Sequence, residues 1–221
     1  MEKPNYLETV RNQYEALPYP PLDPETEKSK LARTYTDGLD IVNHYCFEGK
    51  ENFDDGFRVL VAGGGTGSAT IYLAEQLRYK NAEIVHVDIS EASIAVAQQR
   101  AALRDLDNIT WIQDSLLNIP EMGLGEFDFI NSVGVLHHLA DPAEGLAALR
   151  DVLKVTGAMV LMVYGTYGRH GVYQMQELMR YINMGEADIA PKLNNSKTIL
   201  AGLQKNHWFN ETQKHINDIN H

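Results

Sequence analysis

The sequence predicts an α/β fold: a doubly wound sheet of five parallel strands with helices on both faces. Three observations carry this expectation. Strand-like and helix-like stretches alternate from residue 57 to residue 164. The run Phe57–Gly67, FRVLVAGGGTG, passes from an apolar strand through a glycine turn into helical periodicity. Polar or acidic residues stand at the ends of the second, third and fourth strands, where open α/β sheets bind ligands.

Bulk properties set the frame. A chain of 221 residues, 44% apolar and 22% charged, is long enough for one real core with a small appendage. Its net charge of −11 disfavours a general nucleic-acid surface. Cys46 is the single cysteine, which excludes an internal disulfide and fits a reducing compartment. The N-terminus, MEKPNYLETV, has no apolar signal core, and no run approaches membrane-spanning length. A cytoplasmic protein is expected. There is no internal repeat.

Residues 1–56 form a prefix. Tyr6–Leu17 reads as a short helix with Leu7, Val10 and Tyr14 on one face. Pro18-Tyr19-Pro20-Pro21-Leu22-Asp23-Pro24 cannot stay helical and reads as extended. Lys30–Phe47 reads as a second helix. The prefix is either a helical wrap on one end of the sheet or a lid over a bound ligand.

The core spans 57–165. Its strands are expected at Arg58–Ala62, Glu83–Asp88, Ile109–Gln113, Phe127–Ser132 and Ala158–Tyr164, and its helices at Ser68–Tyr79, Glu91–Arg104 and Pro142–Leu153. Ser90 can cap the second of these helices, and Asp141-Pro142 opens the third. Leu146, Leu149 and Leu153 would line one face of that helix, and Gly157 would stop it. The tail, 166–221, reads as helical or polar. Val172, Met175, Leu178, Met179 and Ile182 share one side of a helix, Ile199, Leu200 and Leu203 suggest another, and Phe209–His221 is weakly helical.

The candidate site follows the strand ends. Gly63, Gly64, Gly65 and Gly67 let the backbone approach a nucleotide-like cofactor, and the next helix aims its first N–H groups at the same spot. Asp88 can accept both hydroxyls of a ribose over that turn, with Ile89 flanking the base. Asp114-Ser115 can receive an adenine amino group and offer a backbone N–H. Ser132 and Val133 can touch the methionine part of a cofactor. His137 and His138 are candidates for a general base, against an ordinary packing role. Neighbouring side chains on a helix diverge by about 100°, so no shared metal is expected. Tyr14, Tyr19, His137, Tyr164, Arg169 and His170 are candidate pocket residues, and none is assigned as a base.

The order and spacing of VLVAGGGTG, VDIS at 87–90, the Asp114 turn, FDFINSVGVLHHLADP at 127–142 and LKVTGAMVLMVY at 153–164 resemble the class I S-adenosylmethionine (SAM)-dependent methyltransferases. The resemblance covers 57–164 and implies a Rossmann-like sheet. It implies the glycine turn under the amino-acid part of SAM, Asp88 on the ribose, Asp114 on the adenine, and Ser132 and Val133 on the methionine side. SAM would be the cofactor and S-adenosylhomocysteine its product. The methyl acceptor would be a small molecule or a protein. The prefix and tail look like a bacterial subgroup of unassigned substrate.

Two departures stand out. The family often places Asp or Glu two residues before the first glycine, where this chain has Val61. Its sheet usually ends in two further strands, for which no candidate follows Tyr164. The chain therefore reads as the front portion of a longer protein, with an exposed sheet edge that a tail helix or a second copy would cover. Two rival readings remain: a SAM-binding or interaction module without catalysis, and an NAD-dependent oxidoreductase. The latter requires Ser68 where a third glycine or alanine belongs, and no Ser/Tyr/Lys grouping supports it.

Overall fold

The computed structural model describes residues 6–204, 207 and 209. Two compact units are present, Met1–Val163 and Tyr164–His221. The first is built on five strands: β1 (Phe57–Ala62), β2 (Ala82–Asp88), β3 (Ile109–Gln113), β4 (Phe127–Val133) and β5 (Leu153–Met162). They form one parallel sheet in the order β3-β2-β1-β4-β5. The chain reverses its winding direction between β1 and β4, which opens a crevice at their carboxyl ends.

Alternation along β1 divides the core in two. Val59 and Val61 face one side with Phe129, Ile84, Leu73, Ala74 and Leu77. Leu60 and Ala62 face the other with Val85, Val87, Ile130 and Leu149. The first layer is closed by α2 (Leu39–Cys46) and α3 (Ser68–Gln76). On the second, α5 (Pro142–Asp151) packs against a 3-10 turn at Leu116–Glu121. Two further α-helices of this unit are α1 (Tyr6–Ala16) and α4 (Glu91–Ala102). The expected caps form: Ser90 accepts from the Ser93 N–H, and Asp141 accepts from the Ala143 N–H with Pro142 following.

Three expectations are corrected. The second prefix helix is confined to α2, preceded by a 3-10 turn at Tyr35–Asp37, because the extended Gly38 opens it afresh. Within the proline-rich run, Pro24 already starts a 3-10 helix, Pro24–Lys28, capped by Asp23. Gly157 does not stop α5, which ends at Asp151; it lies inside β5. There the pairing jumps from Phe127↔Leu153 to Phe129↔Ala158, so β5 bulges over β4. A Cβ on Gly157 would sit 3.0 Å from the Asp128 carbonyl, which is why the bulge takes a glycine. Leu153 consequently belongs to β5, and Leu146 is 44% exposed while Leu149 is buried.

The second unit contains α6 (His170–Ile182) and α7 (Ile189–Gly202). Its apolar stripe is narrower than expected. Met175 is buried and Val172 and Met179 are half-buried, while Leu178 and Ile182 are exposed. The expected helix over Phe209–His221 lies outside the described residues apart from Phe209.

Candidate cofactor site

The site is assembled by the ends of β1 to β4. Beyond β1 the chain turns at Gly63, whose N–H donates to the Val87 carbonyl at 2.8 Å, and Gly67 stands immediately before α3. Two positions in this turn require glycine. A Cβ on Gly64 would overlap the His86 ring, and Gly65 has φ +52° with the Tyr19 carbonyl 2.6 Å from where its Cβ would stand.

Asp88, at the end of β2, is tied directly to this turn. Its Oδ2 accepts from the Gly65 N–H at 2.7 Å and its Oδ1 from the Ser90 N–H at 2.9 Å. Burial pushes its carboxyl above the ordinary range, partly offset by these backbone donors. Each oxygen retains a further lone pair for a hydroxyl. The Asp114 N–H donates to the Asp88 carbonyl at 3.0 Å, which sets the ends of β2 and β3 side by side. Asp114 Oδ1 accepts from the Ser115 N–H and the Asn118 amide, and Ser115 caps the following 3-10 turn. Ile89, next to Asp88, is half-buried. On β4, Ser132 is buried, and its hydroxyl has no hydrogen-bond partner among the described residues; Val133 ends the strand. Gly63, Gly64, Gly65, Gly67, Asp88, Ile89, Asp114, Ser115, Ser132 and Val133 therefore all lie at the carboxyl edge of the sheet.

The prefix crosses this edge. Glu15 accepts from the Glu91 and Ala92 N–H groups, adding a carboxylate cap to α4. The Ser90 hydroxyl donates to the Tyr14 carbonyl, and the Tyr14 hydroxyl lies 3.4 Å from His138 Nε2. Tyr19 meets the turn through its backbone: its carbonyl accepts from the Thr66 N–H at 3.3 Å, and the Pro20 carbonyl from the Thr66 hydroxyl at 2.8 Å. Glu27 is buried against both Arg100 and Arg104, and Arg100 also donates to the Thr66 carbonyl at 2.6 Å. The His137 and His138 rings lie with centroids 4.2 Å apart, tilted by 47°. Among the described residues, no group of three or more His, Cys, Asp or Glu is arranged to hold a metal. Tyr164, Arg169 and His170 belong to the second unit. There the Arg169 guanidinium lies 3.6 Å above the Tyr164 ring, and His170 Nδ1 is 2.9 Å from the Tyr167 carbonyl.

Several residues of this arrangement escaped sequence reasoning. Glu15, Glu27 and Arg100 contact groups more than thirty residues away and belong to no local pattern. His86, beneath Gly64, sits in an apolar strand run that reads as core; its Nδ1 is 2.8 Å from the Thr70 hydroxyl. Asp37, buried beside Asn131, falls in a stretch read as helix.

Residues 60–159 match the family described as a methyltransferase domain. An uncharacterised protein of Synechococcus sp. is 47% identical over 121 residues, which cover 54% of this chain and 28% of the relative. A ubiquinone biosynthesis O-methyltransferase of Acinetobacter baumannii is 28% identical over 102 residues, 46% of this chain and 41% of the relative. The chain thus spans less than half the length of these curated relatives. Among solved structures, PKMT2 from Rickettsia typhi in complex with AdoHcy superposes with a TM-score of 0.56 at 21% identity, over 71% of this chain and 32% of that one, and shows the same fold. Residues 60–159 thus match a methyltransferase domain, and the core Phe57–Met162 around them has the Rossmann-like fold of the class I SAM-dependent methyltransferases.

Proposed function

We propose that this chain is a SAM-dependent methyltransferase whose acceptor is a small molecule or a protein. The observation that carries the reading is the Asp88 carboxylate, set at the β2 end and bonded to the N–H of Gly65 in the glycine turn. In this reading Asp88 holds the ribose hydroxyls, Ile89 flanks the adenine, and Asp114 with the Ser115 N–H meets its amino edge. Gly63, Gly64, Gly65 and Gly67 underlie the amino-acid part, with Ser132 and Val133 beside it. The donor set suits such a ligand: backbone N–H groups and carboxylates at the strand ends, with an unsatisfied buried hydroxyl at Ser132.

When bound, SAM supplies an activated methyl on a sulfonium; an acceptor's lone pair takes the methyl carbon as the C–S bond breaks, leaving S-adenosylhomocysteine. The protein's part is to fix the angle of approach and exclude water. No side chain is assigned as a base, because a base is needed only where the acceptor must lose a proton. The prefix, bonded at Thr66 and at the N-terminus of α4, acts as a lid. Net charge of −11 favours small-molecule or protein acceptors over nucleic acid, and the single Cys46 favours the cytoplasm. No helix among the described residues is long and apolar enough to cross a membrane. A second copy is the proposed cover for the outer side of β5, where Val155 is fully exposed and Leu161 is 41% exposed.

The test is calorimetric titration with SAM and S-adenosylhomocysteine. Micromolar binding that falls at least tenfold in Asp88→Ala supports the site; binding unaffected by that change overturns it. A second reading, a SAM-binding module without turnover, is favoured by one observation: the apolar Val61 where the family often carries an acid. Release of S-adenosylhomocysteine in the presence of an acceptor separates the two.

A further inference from the structure

Two acids of the first unit, buried Glu27 and half-buried Asp88, are matched by strong donors. Glu27 lies between two guanidinium groups, and Asp88 accepts from two backbone N–H groups. Asp37 is different. It is 1% exposed, its Oδ1 accepts from the neutral Asn131 carboxamide, its Oδ2 meets the Thr36 hydroxyl at 3.4 Å, and the Thr34 hydroxyl is a further neutral donor to the carboxyl. No Lys, Arg or His pairs with it among the described residues. A buried acid without a cation is costly to keep. Burial raises its carboxyl above the ordinary range despite the hydrogen bonds it accepts.

Its location is specific. Asn131 stands on β4 immediately before Ser132 and Val133, and is the register partner of Val61 on β1. Partners on neighbouring parallel strands share a face. Asp37 is therefore one hydrogen bond from the neighbour of Val61, at the β1–β4 crevice where the winding reverses. The prefix fixes it there: the Asp37 carbonyl accepts from Gln76 of α3 at 2.9 Å, and Gln76 accepts in turn from the Leu39 N–H at 2.9 Å. An acid is thus held beside the apolar strand end, on a different segment of the chain.

We propose that Asp37 receives the α-ammonium group of the cofactor's methionyl part, supplying from the prefix the carboxylate that β1 lacks. This rests on the SAM-binding reading above. Asn131 orients the carboxylate, and the ammonium is the cation that the buried acid otherwise lacks. A charge-assisted bond out of water is among the stronger polar contacts, so its loss is large enough to measure.

The test compares two probes on the full chain. S-Adenosylhomocysteine carries the ammonium; 5′-methylthioadenosine keeps the adenosine and thioether but lacks the amino-acid part. With Asp37→Asn, the expected result is an affinity for S-adenosylhomocysteine weaker by about 10- to 100-fold and an affinity for 5′-methylthioadenosine within about twofold. The unliganded variant is expected to melt at the same temperature or higher, since it buries no acid. Equal weakening of both probes, or a lowered melting temperature, would show a structural role and overturn the assignment. An unchanged affinity for S-adenosylhomocysteine overturns it too, with the SAM site intact. If the unaltered chain binds neither probe, the function reading itself fails and this assignment falls with it.

Discussion

His86 carries the clearest pH signature of any single residue. It is fully buried under Gly64, and burial with no compensating charge pushes its imidazole down to about 3. An unfolded histidine protonates near 6.5, so between those values the unfolded chain binds more protons. Stability is then unaffected above about pH 6.5 and falls as pH drops below it, by about 2 kcal/mol at pH 5. The raised carboxyls of Asp37 and Asp88 act in the opposite sense, each stabilising the fold as pH falls through its own raised value. Urea unfolding at pH 7 and pH 5 should therefore show a loss in the native chain that is smaller by about 2 kcal/mol in His86→Gln. The same ring makes Gly64→Ala a steric test: the added methyl overlaps it, and a destabilisation of about 1–3 kcal/mol is expected in denaturant titration. At this scale the sequence was most readable where chemistry is local. Asp88 stands at the end of an apolar run, just before its helix cap, and the glycines are contiguous. Asp37 was not readable, because its significance comes from Asn131, 94 positions away.

Among elements, one buried cluster anchors the middle of the prefix. Glu27, on the 3-10 helix Pro24–Lys28, holds Arg100 and Arg104 of the α4 region, and both members of the Glu27–Arg100 pair are 1% exposed. Glu27→Ala leaves the Arg100 guanidinium buried against a single carbonyl. Removing one partner of such a pair costs about 3–5 kcal/mol. The expected outcome is a lower urea midpoint and earlier proteolysis of the prefix than of the sheet; a midpoint unchanged from the native chain would refute it. The helices α3, α4 and α5 and the five strands were legible from periodicity and caps. The boundary between α5 and β5 was not, since Gly157 looks like a helix stop in sequence. It is needed instead because β5 bulges against β4, a demand set by strand pairing. The long second prefix helix failed for a related reason: Gly38 breaks it, and tertiary contacts of Asp37 and Leu39 with Gln76 fix the break.

For the molecule as a whole, the division at Val163/Tyr164 matters most. Every residue assigned here to the cofactor, Asp37 included, lies in the first unit. A chain ending at Val163 should therefore retain its affinity for S-adenosylhomocysteine within about threefold, a difference below about 1 kcal/mol. Calorimetry on that shorter chain checks this, and a loss of binding would assign the second unit a part in the cofactor site. Fold class was legible at this scale because alternating strands and helices with short connections admit few topologies. The acceptor was not, since fold does not choose a substrate. Thr66 gives the arrangement a further meaning. Its amide, hydroxyl and carbonyl are each committed to a different place: Tyr19, Pro20 and Arg100. The turn and the prefix thus share one set of bonds, and coupling between them runs equally in both directions. A ligand seated on the glycines, as proposed, is expected to slow amide exchange some forty residues upstream, at Glu25–Lys30; hydrogen exchange with and without S-adenosylhomocysteine checks this, and unchanged rates would refute the coupling.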